Sequence, residues 1–216
     1  MVDGQSGQSP ATEPVGIDLV APEVFAPMLR RLALAALGVG VGAALLSAVW
    51  LSWPYAILIG LVVAVPTIGY VFAFQRRRLW LSGTVIRAHR LVGEHTVDLA
   101  DATGVQLLVY PARLSRIVLR VTVGGDTQLV PLAMYTDVGS GRELHLLGLR
   151  KLADALAASE LAAAIAISEV LVGQLRAEAR DAGLDERPLY RAVRSVRSKD
   201  SVSPVVLTDS EVAALG

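Results

Sequence analysis

The chain of 216 residues contains no cysteine. That removes disulfides, thiolate nucleophiles and cysteine-based metal sites together, and it fits a cytoplasmic setting for the water-exposed part. There is also no net charge, because 20 Lys and Arg balance 20 Asp and Glu, which argues against a dedicated nucleic-acid binder. The usual signatures of chemistry are missing: no P-loop, no dinucleotide fingerprint, no G-x-S-x-G elbow, no H-E-x-x-H. His89, His95 and His145 do not stand at metal-ligand spacing, and each reads as a surface or turn histidine. Asp98 and Asp101 in "VDLAD" read as turn carboxylates, solvated or capping, rather than a catalytic pair. The sequence predicts no catalytic residue, cofactor, metal or small-molecule substrate, and a non-enzymatic protein.

The most informative absence is local. Residues 32–75 hold no Asp, Glu, Lys, Arg or His. A bilayer core needs roughly 20 apolar residues in a helix, so this block is long enough for two spans. Pro54, between Trp53 and Tyr55, is the natural division, because proline cannot continue the helix ladder and amphipathic aromatics prefer the headgroup level. The spans expected are 32–52 and 55–74. Arg30 and Arg31 precede the first, Arg76, Arg77 and Arg78 follow the second, and the turn between is uncharged. Positive residues stay on the cytoplasmic side, which predicts an inner-membrane hairpin with both chain ends inside. Tyr70, Phe72, Phe74 and Trp80 would form the inner aromatic belt. A signal peptide fits less well, since the apolar run starts late, follows an acidic, Pro-containing leader and is too long for such a segment.

Helices in lipid associate through close backbone approach, which small residues four apart permit. Gly38 with Gly42, Gly60 with Ala64 and Gly69 with Ala73 have that spacing. They would pack the hairpin on itself or pair two copies. Pro66 should bend the second span. Neither span holds an Asp, Glu, Lys, Arg or His, which disfavours transport by this chain alone.

Beyond the arginines the pattern changes to short β-type runs. "GTVIRAHRLVGEHTVDL" reads as two strands around Gly93, "GVQLLVY" as a third, and "RIVLRVTVGGDTQLVPL" as a hairpin turning on its glycines, about five strands in all. Ser140 and Glu143 have capping-box spacing, although "RELHLL" also reads as a strand, with the helix opening near Gly148. Leu149, Leu152 and Leu156 mark one helical face. A second helix, about 160–181, has Leu161, Ile165, Leu171 and Leu175 as its stripe and Gly183 as its stop.

An arginine-terminated two-span hairpin followed by a small antiparallel sheet and a closing helix resembles bacterial membrane proteins with a cytosolic PH-like domain. The resemblance runs over residues 76–159 and rests on "LSGTVIRAHRLVGEHTVDLADATGVQL"; the Arg and Ala usage is similar to that of high-GC actinobacteria. It implies an interaction module. Lipid binding does not follow from such a fold, because it depends on a clustered basic loop. The loop in question is "YPARLSR", where Arg113 and Arg116 serve equally as a solvated edge.

In "ERPLYRAVRSVRSK", drawn as a helix, Arg187, Arg191, Arg194 and Arg197 gather opposite Leu189, Val193 and Val196. Such a face would contact anionic headgroups at about 1 kcal/mol per arginine, or stand in water while the apolar stripe packs inward. The expected organisation is a disordered acidic leader (1–29), the hairpin (30–78), the PH-like domain (79–159), helices with the basic segment (160–199) and a mobile tail (200–216). The fold class is α+β. Expected partners are the bilayer and a protein or a second copy, with a subunit or assembly factor of a transport or envelope-synthesis complex as the alternative role.

Overall fold

The computed structural model describes residues 14–19, 22–76, 78–89, 93–199, 201 and 203–216. They form two compact units. One is Val20–Arg78 with His89–Glu94; the other is Met1–Leu19, Leu79–Ala88 and His95–Gly216.

The first unit is a pair of helices, α1 (Pro22–Ala48) and α2 (Trp53–Arg76). The first begins ten residues before the expected position 32, within the segment expected to be disordered. Pro22 opens it at a place where no N–H is required. Pro54 falls in the first turn of α2, for the same reason, and Tyr55 N–H reaches the Ser52 carbonyl at 3.0 Å.

Small residues line the seam. Gly40 on α1 and Ala56, Gly60 and Ala64 on α2 are buried. A Cβ on Gly40 would stand 2.8 Å from both the Ala64 methyl and the Gly60 carbonyl; one on Gly60 would stand 2.7 Å from the Gly40 carbonyl. The helices therefore touch backbone to backbone, antiparallel, around Gly40, Ala44, Gly60 and Ala64. Gly60 and Ala64 were expected at such a contact. Gly38, Gly42 and Gly69 have nothing within 4 Å of an added Cβ and lie off the seam. Ala73 belongs to α2, but its side chain is outside the described residues.

Large apolar side chains point the other way: Leu34, Leu45, Leu46, Leu58 and Val62 are exposed. By length and composition both helices can cross a membrane, and only 6% of the apolar window in α1 and 22% of that in α2 is buried. A core helix of a water-soluble protein would be mostly buried.

The second unit is α+β, with two sheets. The first has the order β1-β2-β3-β4, from β1 (Val15–Gly16), β2 (Arg78–Ser82), β3 (Val85–His89) and β4 (Glu94–Asp98). The second has the order β8-β7-β6-β5-β9, from β5 (Gly104–Tyr110), β6 (Leu114–Val123), β7 (Asp126–Thr136), β8 (Gly141–Glu143) and β9 (Val205–Val206). Nine strands in two sheets thus stand, among the described residues, where about five in one were expected. The long hairpin β6–β7 closes on Gly124 and Gly125, both at positive φ (56° and 98°), which only glycine adopts cheaply and which matches the strand twist. Its register shifts between Ile117 and Val118, and Pro131 sits at that irregularity, where a missing N–H is tolerated.

Helices α3 (Leu146–Ala157), α4 (Ala162–Ala179), α5 (Pro188–Arg197) and α6 (Asp209–Ala213) complete the unit. Residues 141–143 take the strand alternative, and α3 is capped by His145, whose Nδ1 accepts from Gly148 N–H at 2.9 Å, not by Ser140. Leu149, Leu152 and Leu156 are buried as a face. The stripe expected for α4 is corrected: Leu171 is buried but Ile165 is exposed, and the buried face runs through Ala164, Ile167, Ser168 and Gln174. An alanine-rich helix has little amphipathic contrast, so its sequence does not announce its inner face. It ends at Ala179, two residues before the expected 181, and Asp181, at a left-handed φ of 50°, takes the terminating role expected of Gly183.

Both chain ends are corrected as well. In the leader, Val15 and Gly16 pair with Leu81 and Trp80, and Ile17 N–H reaches the Leu79 carbonyl at 2.9 Å. Residues 1–13 lie outside the described residues. The tail, expected to be mobile, adds β9 to the edge of β5 and buries Leu207, Val212 and Leu215. Thr208 and Glu211 form a reciprocal capping box on α6, and Glu211 also pairs with Lys199.

Two outcomes follow. Gly40→Leu should weaken hairpin packing by about 2 kcal/mol through overpacking, whereas Gly38→Leu should leave it unchanged, as read by SDS-titrated unfolding in detergent. Hydrogen bonds from Lys199, then from the Thr208 backbone and hydroxyl, hold the Glu211 carboxyl down to about 2 from its ordinary 4.5. Tail docking should therefore be constant above about pH 4.5 and weaken as pH falls from there toward 2, followed by proteolysis at the 198–204 connection, and Glu211→Gln should abolish that dependence.

Candidate functional site

The densest polar cluster in the second unit centres on Glu143, at the end of the short strand β8. Its Oε1 accepts the Tyr135 hydroxyl proton at 2.6 Å, while Oε2 accepts from Gln174 Nε2 at 2.7 Å and from Arg187 at 2.9 Å. Arg187 also lies 2.5 Å from a Glu178 carboxylate oxygen and donates to the Ala182 carbonyl at 3.2 Å. Gln174, fully buried, turns its carbonyl to Leu189 N–H at 3.1 Å. One carboxylate thus joins the sheet, α4 and the start of α5.

Around it the packing is tight. Tyr135 is fully buried, its ring edge-on to Tyr190 of α5 with centroids 5.2 Å apart, and it lies so close over Gly141 that no side chain fits there. Burial raises the Tyr135 hydroxyl well above its ordinary range, and the Glu143 charge and hydrogen bond push it further. For Arg187, burial works to lower the pKa, but Glu143 and Glu178 outweigh it and hold the guanidinium more firmly protonated. A cleft of about 520 Å³ adjoins the cluster. Glu143 accepts from three donors and Tyr135 keeps its proton, so the cluster clamps β7, α4 and the start of α5 together.

The four arginines expected to gather on one face, toward lipid or toward water, take separate partners. Arg187 stands at the N-cap position of α5 without a side-chain capping bond and turns its guanidinium into the cluster. Arg197 reaches the buried Ser115 hydroxyl at 2.9 Å and pairs with Asp137 at 3.1 Å, tying α5 to the "YPARLSR" loop. Arg191 donates to the Ala214 carbonyl of the tail at 3.0 Å, and Arg194 pairs with Asp185 at 2.6 Å with both side chains largely exposed. Leu189, Val193 and Val196 are fully buried, so the stripe packs on the protein. The outward cationic face contracts to Arg191 and Arg194, which line a shallow cleft of about 410 Å³ with Ser195 and Ser198. In the loop, Arg116 lies over the Tyr110 ring at 5.6 Å.

In the helical unit Arg30 and Arg31 are exposed on α1, Arg76 closes α2, and Arg78, exposed, opens β2. Arg77 lies outside the described residues. The antiparallel seam brings Arg30 and Arg31 to the same end of the hairpin as Arg76. Among the described residues no three His, Asp or Glu side chains cluster as metal ligands would.

Compared with protein-family models, with curated proteins and with solved structures, the chain finds no match in any of the three.

Tyr135 and Gln174 escape sequence reasoning, because a tyrosine in a strand and a glutamine in an alanine-rich helix carry no motif. Alternation offers the one available signal: Tyr135 falls in phase with the buried residue Ala133 of β7.

Substitutions at two arginines should separate clamp from surface. Arg187→Gln leaves Glu143 and Glu178 without their shared cation and should cost about 3 kcal/mol in urea unfolding. Arg194→Gln removes an exposed pair and should cost under about 0.5 kcal/mol.

Proposed function

We propose that the chain is a non-enzymatic integral protein of the bacterial cytoplasmic membrane, in which α1 and α2 form the anchor and the α+β unit is a cytosolic, PH-like module that meets a protein partner or the membrane surface. The observation that carries this reading is the polarity of the hairpin packing: small residues face in and large apolar residues face out. Water would oppose that distribution and a hydrocarbon solvent favours it. An uncharged backbone-satisfied helix pair is also one of the few structures a bilayer core accepts.

Further support comes from the hairpin ends. Arg30, Arg31 and Arg76 share one end, which by the positive-inside bias is the cytoplasmic one. A cleaved signal sequence is disfavoured because removal of α1 would also take away β1, a strand paired in the folded unit. Reading residues 79–159 as PH-like is supported by the element order: β2 to β4 in one sheet, β5 to β8 in the next, then α3. The strands β1 and β9 are additions to that layout. An anchored module raises the effective concentration of what it binds near the bilayer.

A second reading, a subunit or assembly factor of a larger membrane complex, draws on Gly38, Gly42 and Gly69, which lie off the seam with room for another helix. Gly38→Leu with Gly42→Leu should release partners if they bind the helices and retain them if they bind the cytosolic module, as read by co-purification from mild detergent.

The principal test is fractionation with topology. The protein should stay in the membrane pellet after alkaline washing, and a reporter fused at its C-terminus should be cytoplasmic. Release into the supernatant, or an extracytoplasmic reporter, ends the proposal.

A further inference from the structure

The sheet of β5, β6, β7 and β9 has one face in the core, where Leu107, Ile117, Leu119 and Val130 are buried and α5 meets Ser115 and Tyr135. The opposite face departs from the polar character that outward positions of an antiparallel sheet usually have. Strand register aligns Val206, Leu108, Val118 and Pro131 as one apolar row across the four strands. Val206 is exposed, Val118 and Pro131 are half-buried and Leu108 is buried. Beside this row stand Gln106, Arg120 and Leu129 on one side, and Tyr110, Arg116 and Met134 on the other. Leu129 is 43% exposed, and an apolar surface that crosses several strands marks an interaction site.

Charge on this face has one sign. The positions of β5, β6 and β7 that share it hold Arg116 and Arg120 and no Asp or Glu. Among the described residues neither arginine meets a carboxylate: Arg120 donates to Gln106 Oε1 at 3.2 Å, and Arg116 lies over the Tyr110 ring at 5.6 Å.

We infer that this face is the docking surface for an acidic amphipathic helix of a partner protein. Four residues of β6 set the two arginines about 13 Å apart, one on each side of the apolar row, and a helix is about 10–12 Å wide. Three strand spacings make the row roughly 14 Å long, which about ten helical residues span. A helix laid along it seats its apolar stripe on Val118, Pro131 and Val206, and carboxylates on its two flanks meet Arg116 and Arg120. Each arginine exchanges a neutral neighbour for an anion. A second copy offering the same face would set four guanidiniums against one another. A bilayer fits less well, because the short side chains of the row lie between longer arginines and could not enter hydrocarbon ahead of them. The inference rests on reading the unit as an interaction module and is independent of the anchor.

The test uses the full chain in nanodiscs of zwitterionic lipid and two fluorescent, stapled helical peptides of about three turns, each with a leucine stripe. One carries glutamates on both flanks of the stripe, and its twin carries lysines. By fluorescence anisotropy the glutamate peptide should bind about tenfold tighter than the twin. Arg116→Glu with Arg120→Glu should reverse that order, and Leu129→Ser with Val206→Ser should weaken both peptides several-fold. If the charge reversal shifts urea unfolding, Arg116→Gln with Arg120→Gln takes its place and should erase the preference. Absence of binding by either peptide overturns the inference, as does a preference that the arginine substitutions leave unchanged. Leu129→Cys, unique in a chain without cysteine, carries a fluorophore that should escape quenching by spin-labelled phosphatidylglycerol in the disc. Quenching there assigns the face to lipid and overturns the inference as well. A chain that does not enter nanodiscs faults the membrane reading instead, and the same affinities measured in a mild neutral detergent then decide this one.

Discussion

The pairing of the strand before the helical hairpin with the strand after it organises the whole chain. Val15 and Gly16 meet Leu81 and Trp80, the Leu79 N–H is shared by the two Asp18 carboxylate oxygens at 3.2 and 3.3 Å, and Ile17 is fully buried. The hairpin is therefore an insertion in a sheet, not an appendage on an N-terminal leader. The α+β unit is assembled from chain on both sides of the apolar block.

Inside that unit the comparable constraint is the Glu143 carboxylate. An anion withdrawn partly from water is costly unless several donors meet it, and here a phenol, an amide and a guanidinium do so from three different elements. Each donor can reach it only when its own element is in place. That makes the cluster a test of correct assembly for α4, α5 and the β7–β8 edge, and it accounts for a basic helix whose first arginine is withdrawn from solvent.

Much of this was legible in the residues. The uncharged block, its division at Pro54, the β6–β7 turn at Gly124 and Gly125, and the Leu149, Leu152, Leu156 face each follow from a single local rule. Other features required knowledge of context. "GVGVGAA" offers two small-residue pairs, 38 with 42 and 40 with 44, and spacing alone does not choose between them; the partner helix does. "VGIDL" alternates as a strand should, but three apolar positions in a short segment rich in turn formers do not identify the distant partner at residue 79. The tail carried a capping box at Thr208 and Glu211, yet its strand exists only because β5 has a free edge. Arg187 and Arg197 were visible as charges and invisible as ion-pair partners, since Glu143 and Asp137 come from other elements.

Because β1 and β2 lie antiparallel with Ile17 beside Leu79, the two points where the chain leaves and re-enters the α+β unit are neighbours in space. A ribbon cut there is separated by no more than a tight reversal. Joining Leu19 to Leu79 through a two- or three-residue turn would convert β1 and β2 into an ordinary β-hairpin and keep Ile17, Leu19 and Leu81 in the core of the unit.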